Sequence, residues 1–379
     1  MQYRVLGRTG LRVSALGFGT MRFKMADRHV DQELAVSALH RAMDLGVNYF
    51  DSAVGYCNSE SEIVLGKALK RRRDGIVVST KYPPWDRSLT ADDCRQVIEQ
   101  SLSRLDTDFI DVYHMHSLDW ETAQKVLAEG GAVDGARKAK EEGLVKHLGF
   151  SFHDDPERMI DIIEAAPDFD VVTCQYNLLD RANEKSIAAA HERGLGVVIM
   201  GPVGGGRLGF PSEKVQGLLS GGTKTTPEIA LRFVLSNPNV SVALSGMNTI
   251  EMVEQNAATA SRESVLTEEE RRTIVQALEE NRRLADLYCT GCGYCMPCPN
   301  GVNIPENFRL MNLHRVWGLT GSARERYTWF GPKRPNNLDA GACVECGECE
   351  PKCPQKIAII EQLKETHRAL ATQDKDSKS

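Results

Sequence analysis

The sequence predicts an α/β fold in which a TIM barrel of eight strand–helix units is followed by a small cysteine-rich domain. Two observations support this prediction. Between Val13 and Ala258, short β-branched or apolar runs alternate with longer amphipathic stretches, a pattern typical of parallel strands joined by helices. Eight of the 11 cysteines lie between Cys289 and Cys353, so the end of the chain carries a different chemistry from the rest.

Length, composition and charge exclude several classes of protein. The chain has 379 residues, of which 41% are hydrophobic and 26% charged, as expected for a globular protein with a large core. Its formal net charge is −6 and it has no long basic stripe, so nucleic acid is not an expected partner. No run approaches the ~18 apolar residues that span a membrane, and the first residues lack a secretory signal. We expect a cytoplasmic protein with no membrane partner; no pattern indicates its oligomeric state.

Eight apolar runs are predicted to be the barrel strands. They are residues 13–19, 47–52, 76–81, 109–116, 145–151, 171–176, 196–200 and 240–244. Amphipathic stretches between them predict the helices, for example residues 31–46, where Gly46 supplies the stop. Eight such units with right-handed crossovers close most naturally into a barrel. An open doubly wound sheet is the alternative, but its G-x-G-x-x-G fingerprint after the first strand is absent.

Two further elements flank the predicted barrel. The segments YRVL and LRVSAL surround the turn GRTG at residues 7–10 and predict a β-hairpin at the barrel's base. After the eighth unit, residues 266–287 predict an extra helix, with Thr267 and Glu270 at capping-box spacing. This helix leads directly into the cysteines.

The expected domain limits follow from these elements. Residues 299–342 separate two cysteine runs and are expected to form a packed insertion with irregular backbone. The polar end of the chain is expected to be disordered. The expected domains are a barrel over 1–287, a cysteine-rich domain over 288–371 and a disordered tail over 372–379.

The cysteine runs have the spacing of iron–sulfur ligands. The first is CTGCGYCMPCP, from Cys289, and the second is CVECGECEPKCP, from Cys343. Three thiolates at x2 spacing surround three corners of a 4Fe-4S cluster, and a fourth before proline binds the neighbouring cluster. The two ligand sets predicted by this crossover are Cys289, Cys292, Cys295 and Cys353, and Cys343, Cys346, Cys349 and Cys298. The first run has x2 rather than x3 before its last cysteine, so Cys298 departs from the pattern.

Two other uses of these cysteines are less favoured. A disulfide framework needs an oxidising compartment, which the missing secretory signal argues against. Structural zinc sites are usually built from separated C-x2-C pairs, whereas six regular spacings over two runs fit iron–sulfur clusters better. Colour separates the last two alternatives, because iron–sulfur protein is brown and zinc sites are colourless.

Four polar residues lie at or just after the ends of predicted strands two to four. Asp51, Lys81 and His116 end these strands, and Tyr56 follows the second strand by a short loop. Barrel enzymes build their active sites on this face. A tyrosine with a pKa near ~10 is a weak acid until a cation favours its phenolate, and Lys81 can be that cation. Asp51 would hold the ammonium by a charge-assisted hydrogen bond, and His116 would orient or polarise a carbonyl oxygen.

Seven motifs together resemble those of the aldo-keto reductases. They are NYFDSAVGY (48–56), STK (79–81), IDVYHMHS (110–117), LGFS (148–151), QYN (175–177), ALRFVLSNPNV (230–240) and SGMNTIEMVEQN (245–256). The resemblance covers about residues 1–287. The cysteine-rich end is similar to bacterial two-cluster ferredoxins, so the chain resembles the iron–sulfur branch of the group. This resemblance implies a small α+β ferredoxin-like domain after the barrel, and Tyr56 as general acid supported by Lys81, Asp51 and His116.

The same resemblance implies a nicotinamide dinucleotide across the barrel mouth. Ser151 and Gln175 match positions that hydrogen-bond the carboxamide. The turn MGPVGGGRL (200–208) offers glycines whose bare backbone can approach a pyrophosphate. The candidate cofactor-binding residues are Thr20, Met21, Asp51, Ser151, Gln175, Met200, Gly201, Gly204, Gly205, Gly206, Leu208, Ser245, Gly246, Met247, Asn248, Gln255 and Asn256.

Two departures from the family pattern bear on the cofactor. Met200 stands where relatives place an aromatic ring against the nicotinamide. Residues 245–256 contain no basic residue to bind a 2′-phosphate, so NADH is favoured over NADPH. A flavin mononucleotide is a further candidate, because the glycine turn could hold its phosphate.

These features predict an oxidoreductase that reduces a small carbonyl, or oxidises an alcohol, and exchanges electrons with an external redox partner through two 4Fe-4S clusters. A hydride carries two electrons, whereas each cluster usually passes one, so a converter such as a flavin is needed. The alternative is a flavin-containing or ferredoxin-linked electron-transfer protein. Its clusters would then be carrier, sensory or structural elements, and its barrel would not be a nicotinamide-dependent carbonyl reductase. His114 shares strand parity with His116 and is expected in the barrel core or behind the site.

Overall fold

The computed structural model describes residues 1–85, 87–219, 225–262, 266–286, 289, 292–354 and 356–371. The tail predicted over 372–379 lies outside the described residues. The chain divides into two compact units. The first consists of Met1–Gly204 and Ala230–Leu266, and the second of Gly205–Ile229 and Thr267–Ser379.

Eight parallel strands form a closed barrel in the first unit. The strands of the described residues are β1 (Tyr3–Val5), β2 (Arg12–Ser14), β3 (Leu16–Gly19), β4 (Met25–Ala26), β5 (His29–Val30), β6 (Tyr49–Asp51), β7 (Val77–Tyr82), β8 (Ile110–Leu118), β9 (Val145–Phe152), β10 (Val171–Gln175), β11 (Gly196–Met200) and β12 (Val242–Ser245). The barrel contains β3 and β6 to β12 in chain order, and β12 closes on β3 with Ala243 opposite Leu16. The predicted (β/α)8 barrel is confirmed.

The N-terminal hairpin closes one end of this barrel. Strands β1 and β2 pair antiparallel, as the sequence predicts. Leu6 and Val13 are fully buried in one core cluster with Tyr49 and Val171, which lie at the starts of barrel strands. The hairpin therefore takes residues 12–14, and the first barrel strand begins later than predicted, at Leu16.

The α-helices of the described residues are α1 (Gln32–Asp44), α2 (Ser61–Leu69), α3 (Ala91–Leu105), α4 (Trp120–Val126), α5 (Ala132–Glu141), α6 (Pro156–Ala165), α7 (Glu184–Glu192), α8 (Glu213–Gln216), α9 (Thr226–Leu235), α10 (Ile250–Ala260), α11 (Glu268–Asp286), α12 (Ile304–Arg315), α13 (Thr320–Tyr327) and α14 (Ile359–Leu370). Several helices, among them α1, α3, α4, α10 and α12, begin at a side chain that accepts a backbone hydrogen bond. Asp31 caps α1, and Thr267 and Glu270 form the predicted capping box of α11. Among these described helices, none has the length and apolar character needed to cross a membrane.

The second unit is mainly helical between its cysteine runs. The sequence predicts irregular backbone over residues 299–342. This prediction is wrong for α12 and α13, which are helical. Ile304, Phe308 and Met311 recur at helical spacing and are buried, so burial of an apolar face stabilises α12. Strand pairing among the described residues of this unit is one isolated bridge between Val302 and Leu338.

A segment that follows barrel strand β11 packs within the second unit. Ser212 Oγ donates a hydrogen bond to the carbonyl oxygen of Trp317 (2.6 Å), and Lys214 Nζ donates to that of Arg315 (2.8 Å). A Cβ built on Gly321 would lie 2.7 Å from the Phe210 ring, so the glycine permits close contact. The domain limits predicted from the sequence assign this segment to the barrel domain, whereas it packs within the second unit. The predicted limits themselves stay a prediction.

Candidate active site

A buried ion pair lies at the C-terminal ends of β6 and β7. Lys81 Nζ donates to Asp51 Oδ1 (2.6 Å) and to the Ser52 carbonyl oxygen (2.5 Å). The side chains of Lys81 and Asp51 are only 2% and 5% exposed. Burial would lower the pKa of Lys81, but the charge of Asp51 and the nearby Tyr56 outweigh it and raise that pKa. Lys81 therefore remains a cation in a site from which most water is excluded.

Tyr56 lies above this ion pair in the loop between β6 and α2. Lys81 Nζ is 5.0 Å from the centroid of the Tyr56 ring, and the His116 ring meets it edge-on with centroids 5.7 Å apart. The structure thus brings together all four residues singled out in the sequence. Burial raises the pKa of Tyr56, and the opposing effect of Lys81 only partly offsets it. The phenol is therefore held protonated, with a cation beside it that favours its ionised form.

His116 is neutral, and its neighbours explain why. Burial, then the charge of Lys81 and the nearby His153, lower the pKa of His116 to about 3. A neutral imidazole can donate one N–H hydrogen bond to a carbonyl oxygen. It cannot also act as an imidazolium acid near neutral pH.

Trp85 is a site residue that the sequence analysis missed. Its ring is 47% exposed and lies 4.9 Å, centroid to centroid, from that of His116. The available signal was its position in the loop after β7, on the same face as the ends of the other strands. Trp120, the aromatic residue of the loop after β8, instead begins α4, with the Arg158 guanidinium 6.0 Å from its ring.

The candidate carboxamide-binding residues lie on neighbouring strands. Ser151 is buried at the end of β9, and its hydroxyl accepts a hydrogen bond from the Ser117 backbone N–H (2.6 Å). A Cβ built on Gly201 would lie 2.7 Å from Gln175 Oε1, and Gly201 has a φ of +62°. Gly201 thus leaves room for the Gln175 amide beside Met200, which pairs with Gln175 in register.

The other predicted cofactor residues differ in exposure. Thr20 is buried, and its hydroxyl contacts the Asp51 carbonyl oxygen (2.9 Å) and Ser61 Oγ (2.5 Å), so it supports the site internally. Ser245 accepts a hydrogen bond from Asn256 Nδ2 (3.1 Å) and is also buried. Met247 is buried, whereas the exposed members of the set are Met21, Gly205, Gly206, Gly246, Asn248 and Gln255. Gly201 and Gly204 belong to the first compact unit, and Gly205, Gly206 and Leu208 to the second.

The basic residue Arg22 lies beside the segment 245–256, which contains no basic residue of its own. A Cβ built on Gly246 would lie 2.7 Å from Cγ of Arg22, which follows β3. Strand β3 pairs with β12, and this pairing brings the two chain segments together. Because Arg22 lies beside this segment, the lack of basic residues within it does not by itself favour NADH over NADPH.

The eight clustered cysteines line two cavities in the second unit. The first cavity has an empty volume of about 330 Å³, including space open to solvent, and the second about 320 Å³. The thiols of the first are Cys289, Cys292, Cys295 and Cys353, and those of the second are Cys298, Cys343, Cys346 and Cys349. Each cavity thus combines three cysteines of one run with the last cysteine of the other, the grouping expected from the crossover.

The walls of both cavities suit a polynuclear cluster. Phe308 and Ile359 line the first, and Ile304 and Leu363 line the second. Among the described residues, none of these eight cysteines forms a disulfide bond. Within the described residues, no three His, Cys, Asp or Glu side chains converge closely enough to hold a single metal ion. The thiols surround space instead, as ligands bound to different corners of a cluster must.

Two family models match the chain. The model of the Aldo/keto reductase family matches residues 15–279, and that of the 4Fe-4S dicluster domain matches residues 288–358. Among curated proteins, L-galactose dehydrogenase of Arabidopsis thaliana is 29% identical over 312 residues, covering 74% of this chain and 95% of that protein. The NADH-specific methylglyoxal reductase of Escherichia coli (strain K12) is 26% identical over 305 residues, covering 67% and 91%.

Solved structures resemble the chain over the same part. The holo form of aldo-keto reductase AKR11C1 from Bacillus halodurans has a TM-score of 0.63 at 27% identity and covers 73% of this chain and 96% of its own. An aldo/keto reductase from Klebsiella pneumoniae, solved with NADP and acetate, has a TM-score of 0.61 at 25% identity and covers 73% and 95%.

Proposed function

Because this chain belongs to the aldo/keto reductase family and carries a C-terminal 4Fe-4S dicluster domain, we propose that it interconverts a small carbonyl compound and its alcohol with Tyr56 as the acid or base. The chain is an oxidoreductase of the aldo-keto reductase type. The observation that carries the finer proposal is the buried Lys81–Asp51 pair beside the Tyr56 phenol.

Tyr56 donates the proton in the reducing direction. A nicotinamide dinucleotide bound at the barrel mouth would supply the hydride that adds to the carbonyl carbon. As negative charge develops on the carbonyl oxygen, the Tyr56 phenol gives up its proton and becomes a phenolate. Lys81 stabilises that phenolate because the ammonium is almost fully buried and little solvent screens its charge, and Asp51 keeps the ammonium in place.

His116 and Trp85 position the substrate. The neutral imidazole of His116 donates a hydrogen bond to the carbonyl oxygen and holds it near the phenol. Trp85 packs against the His116 ring and offers a half-exposed aromatic face. This face provides an apolar wall that excludes water from one side of the reacting carbonyl.

A nicotinamide dinucleotide is the proposed redox cofactor of the barrel. Ser151 and Gln175 would hold its carboxamide, and exposed Gly246, Asn248 and Gln255 would contact the adenosine portion. The Klebsiella pneumoniae relative was solved with NADP, and the Escherichia coli relative is named as NADH-specific. We propose that this chain uses NADH, and that Arg22 limits the preference by offering a cation to a 2′-phosphate.

Two 4Fe-4S clusters are proposed to occupy the cysteine-lined cavities. Their ligands would be the four thiols of each cavity. Cys292 in the first set and Cys346 in the second are exposed, which supports electron exchange with an external redox partner. FMN is the alternative occupant of the barrel site and would convert between single electrons and a hydride; heating anaerobically purified protein will identify a released nicotinamide or flavin.

Replacing Tyr56 by Phe tests the proposal. We expect kcat to fall about 1,000-fold, because general acid catalysis is lost, while both clusters keep their colour. The assay uses methylglyoxal with NADH or NADPH, and L-galactose with NAD⁺ or NADP⁺. Tyr294→Phe is the matched control, since Tyr294 is an exposed tyrosine of the cysteine-rich unit. Unchanged turnover in Tyr56→Phe would rule out the proposed role.

A second candidate function is electron carriage by the clusters without carbonyl chemistry. The grouping of eight cysteines around two cavities favours it. It predicts that no carbonyl is reduced, while reduced clusters are rapidly re-oxidised by a redox partner. Full carbonyl reduction after cluster removal would instead give the clusters a role other than electron supply.

A further inference from the structure

A chain of hydrogen bonds runs from the Lys81–Asp51 pair into the barrel interior. Ser79 Oγ donates to Asp51 Oδ2 (3.0 Å), the oxygen not used by Lys81. The same hydroxyl lies 3.2 Å from His114 Nδ1, and His114 Nε2 lies 3.2 Å from Thr173 Oγ1. Ser79, His114 and Thr173 are all buried.

The backbone is shaped to admit the His114 ring. His114 on β8 pairs in register with Gly149 on β9. A Cβ built on Gly149 would lie 3.2 Å from His114 Cδ2 and 2.3 Å from the Val171 carbonyl oxygen. Any side chain at Gly149 would therefore push the ring or strand β10 away, and the glycine keeps His114 between Ser79 and Thr173.

The hydrogen-bond directions follow from proton counting. Asp51 Oδ2 accepts a hydrogen bond from Ser79, so the single hydroxyl proton of Ser79 points toward Asp51. Ser79 can then only accept from His114, which requires a proton on Nδ1. Burial, with the charge of Lys81 and the nearby His116, lowers the pKa of His114 well below its usual value, so the ring holds one proton. Nε2 is consequently the acceptor, and Thr173 donates to it.

We propose that Thr173, His114 and Ser79 are positioning residues that orient the Asp51 carboxylate toward Lys81 through this ordered set of hydrogen bonds. The inference rests on the proposed function, because the network affects turnover only if Tyr56 is the acid or base that Lys81 serves. Ser79 donates to one Asp51 oxygen, Nδ1–H of His114 donates to Ser79 and keeps its proton in that direction, and Thr173 donates to Nε2 and so stabilises this tautomer of His114. The other Asp51 oxygen is then free to face the ammonium that serves Tyr56.

The protonation state of His114 is the first test. The full chain, labelled with ¹⁵N-histidine, is measured by long-range ¹H–¹⁵N correlation near neutral pH, and the signal missing from His114→Gln assigns the residue. We expect a neutral ring protonated on Nδ1 in the native chain. A ring protonated on Nε2 would overturn the inference, because Ser79 would then donate to His114 and leave Asp51. We expect Thr173→Val to shift the population toward that second tautomer.

Turnover is the second test. Ser79→Ala and His114→Leu are each expected to lower kcat about 10-fold with little change in KM, since the carboxylate is displaced while the substrate pocket remains. The double variant should be no slower than the slower single variant, because both break the same chain. His114→Gln should recover most of the activity, since its amide both donates and accepts. The inference is overturned if the losses of kcat in the two single variants multiply in the double variant, or if His114→Gln does not recover activity.

Ser241→Ala is the matched control, because Ser241 is a buried serine that contacts the Val5 carbonyl oxygen away from the site. It should keep native kcat. The tests also separate failure of the inference from failure of the proposed function. If His114 in the native chain carries its proton on Nε2 while Tyr56→Phe is inactive, only the inference is overturned. Native turnover in Tyr56→Phe overturns the proposed function, and the inferred catalytic consequence with it.

Discussion

The barrel and the cysteine-rich unit assemble their reactive groups differently. In the barrel, Asp51, Lys81 and His116 come from the ends of three strands, and parallel pairing brings them together. An ion pair and hydrogen bonds hold Lys81 and Asp51, and ring contacts with Tyr56 and Trp85 hold His116. In the second unit, most thiols lie in loops, and half-buried or exposed cysteines surround two cavities.

This difference indicates where each site obtains its stability. The barrel site is ordered by the fold itself, since packing excludes water and leaves Lys81 with fixed partners. The clustered cysteines of the second unit are half-buried or exposed, so cluster binding is expected to contribute to the folding of their loops. Changes in one region should therefore have separable effects on turnover and iron content.

The largest expected effect is that of Lys81→Met. Loss of the buried ammonium leaves Asp51 unpaired and removes the cation beside Tyr56, so kcat should fall about 1,000-fold. Iron content should not change, because the substitution lies in the barrel. Steady-state kinetics and iron analysis check both expectations. The control is Lys70→Met, an exposed lysine at the end of α2. Iron loss in Lys81→Met would break the separation between the two regions.

The next effect is that of Cys353→Ser on the first cavity. Because this cysteine lies with the three thiols of the other run, its replacement should remove one cluster and lower iron from about eight to about four atoms per chain. The measurement is iron and acid-labile sulfide per chain after anaerobic purification. Cys57→Ser, which alters a thiol of the barrel unit, serves as the control. Full iron content in Cys353→Ser would contradict the ligand assignment.

A smaller effect is expected at the opposite end of the barrel from the active site. Burial opposes ionisation of Asp170, but hydrogen bonds from His147, Lys140 and Arg8 outweigh it and lower its pKa to about 2. Lys140 and Arg8 are 36% and 40% exposed, so solvent screening leaves a stabilisation of about 1 kcal/mol. Asp170→Asn should lower the thermal midpoint by about 2 °C near neutral pH.

The sign of this pH dependence follows from the lowered pKa. The folded chain binds fewer protons at Asp170 than the unfolded chain does. The stabilisation is therefore present above pH ~4 and is lost as the pH falls through about 2. The difference between Asp170→Asn and the native chain should shrink over that interval. The exposed Asp108→Asn is the control, and a constant difference down to pH ~2 would contradict the assignment.

The smallest expected effect is an absence of titration by His116. Since its pKa is about 3, kcat should change less than about twofold between pH ~5 and pH ~8. An ordinary imidazole in the same role would produce an inflection near pH ~6.5. The pH profile of kcat is the measurement. An inflection there that disappears in His116→Asn would show that His116 titrates normally.

Much of the architecture was accessible from local pattern. Alternating apolar runs predicted the barrel, and the strand ends singled out Asp51, Lys81 and His116, because parallel strands place their C-terminal ends on one face. Cysteine spacing predicted the grouping of thiols that the two cavities display. These features depend on neighbours in sequence and on one general rule of topology.

Other features were beyond the sequence because they depend on which distant surfaces meet. Trp85 joins His116 only through the packing of a loop, and Arg22 reaches Gly246 only because β12 closes on β3. The helices over residues 304–327 were missed because short amphipathic runs rich in Asn, Gly and Pro resemble loops.

The sequence alone determined the order of elements, the chemical groups present and the spacing of the thiols, since these are set by periodicity along the chain. Only the tertiary structure decided that residues 205–219 and 225–229 pack within the second unit and that His114 connects Thr173 to Asp51 through Ser79. The physical reason is range. Burial and hydrogen-bond direction depend on atoms from strands far apart in sequence, and only closure of the barrel brings those atoms into contact.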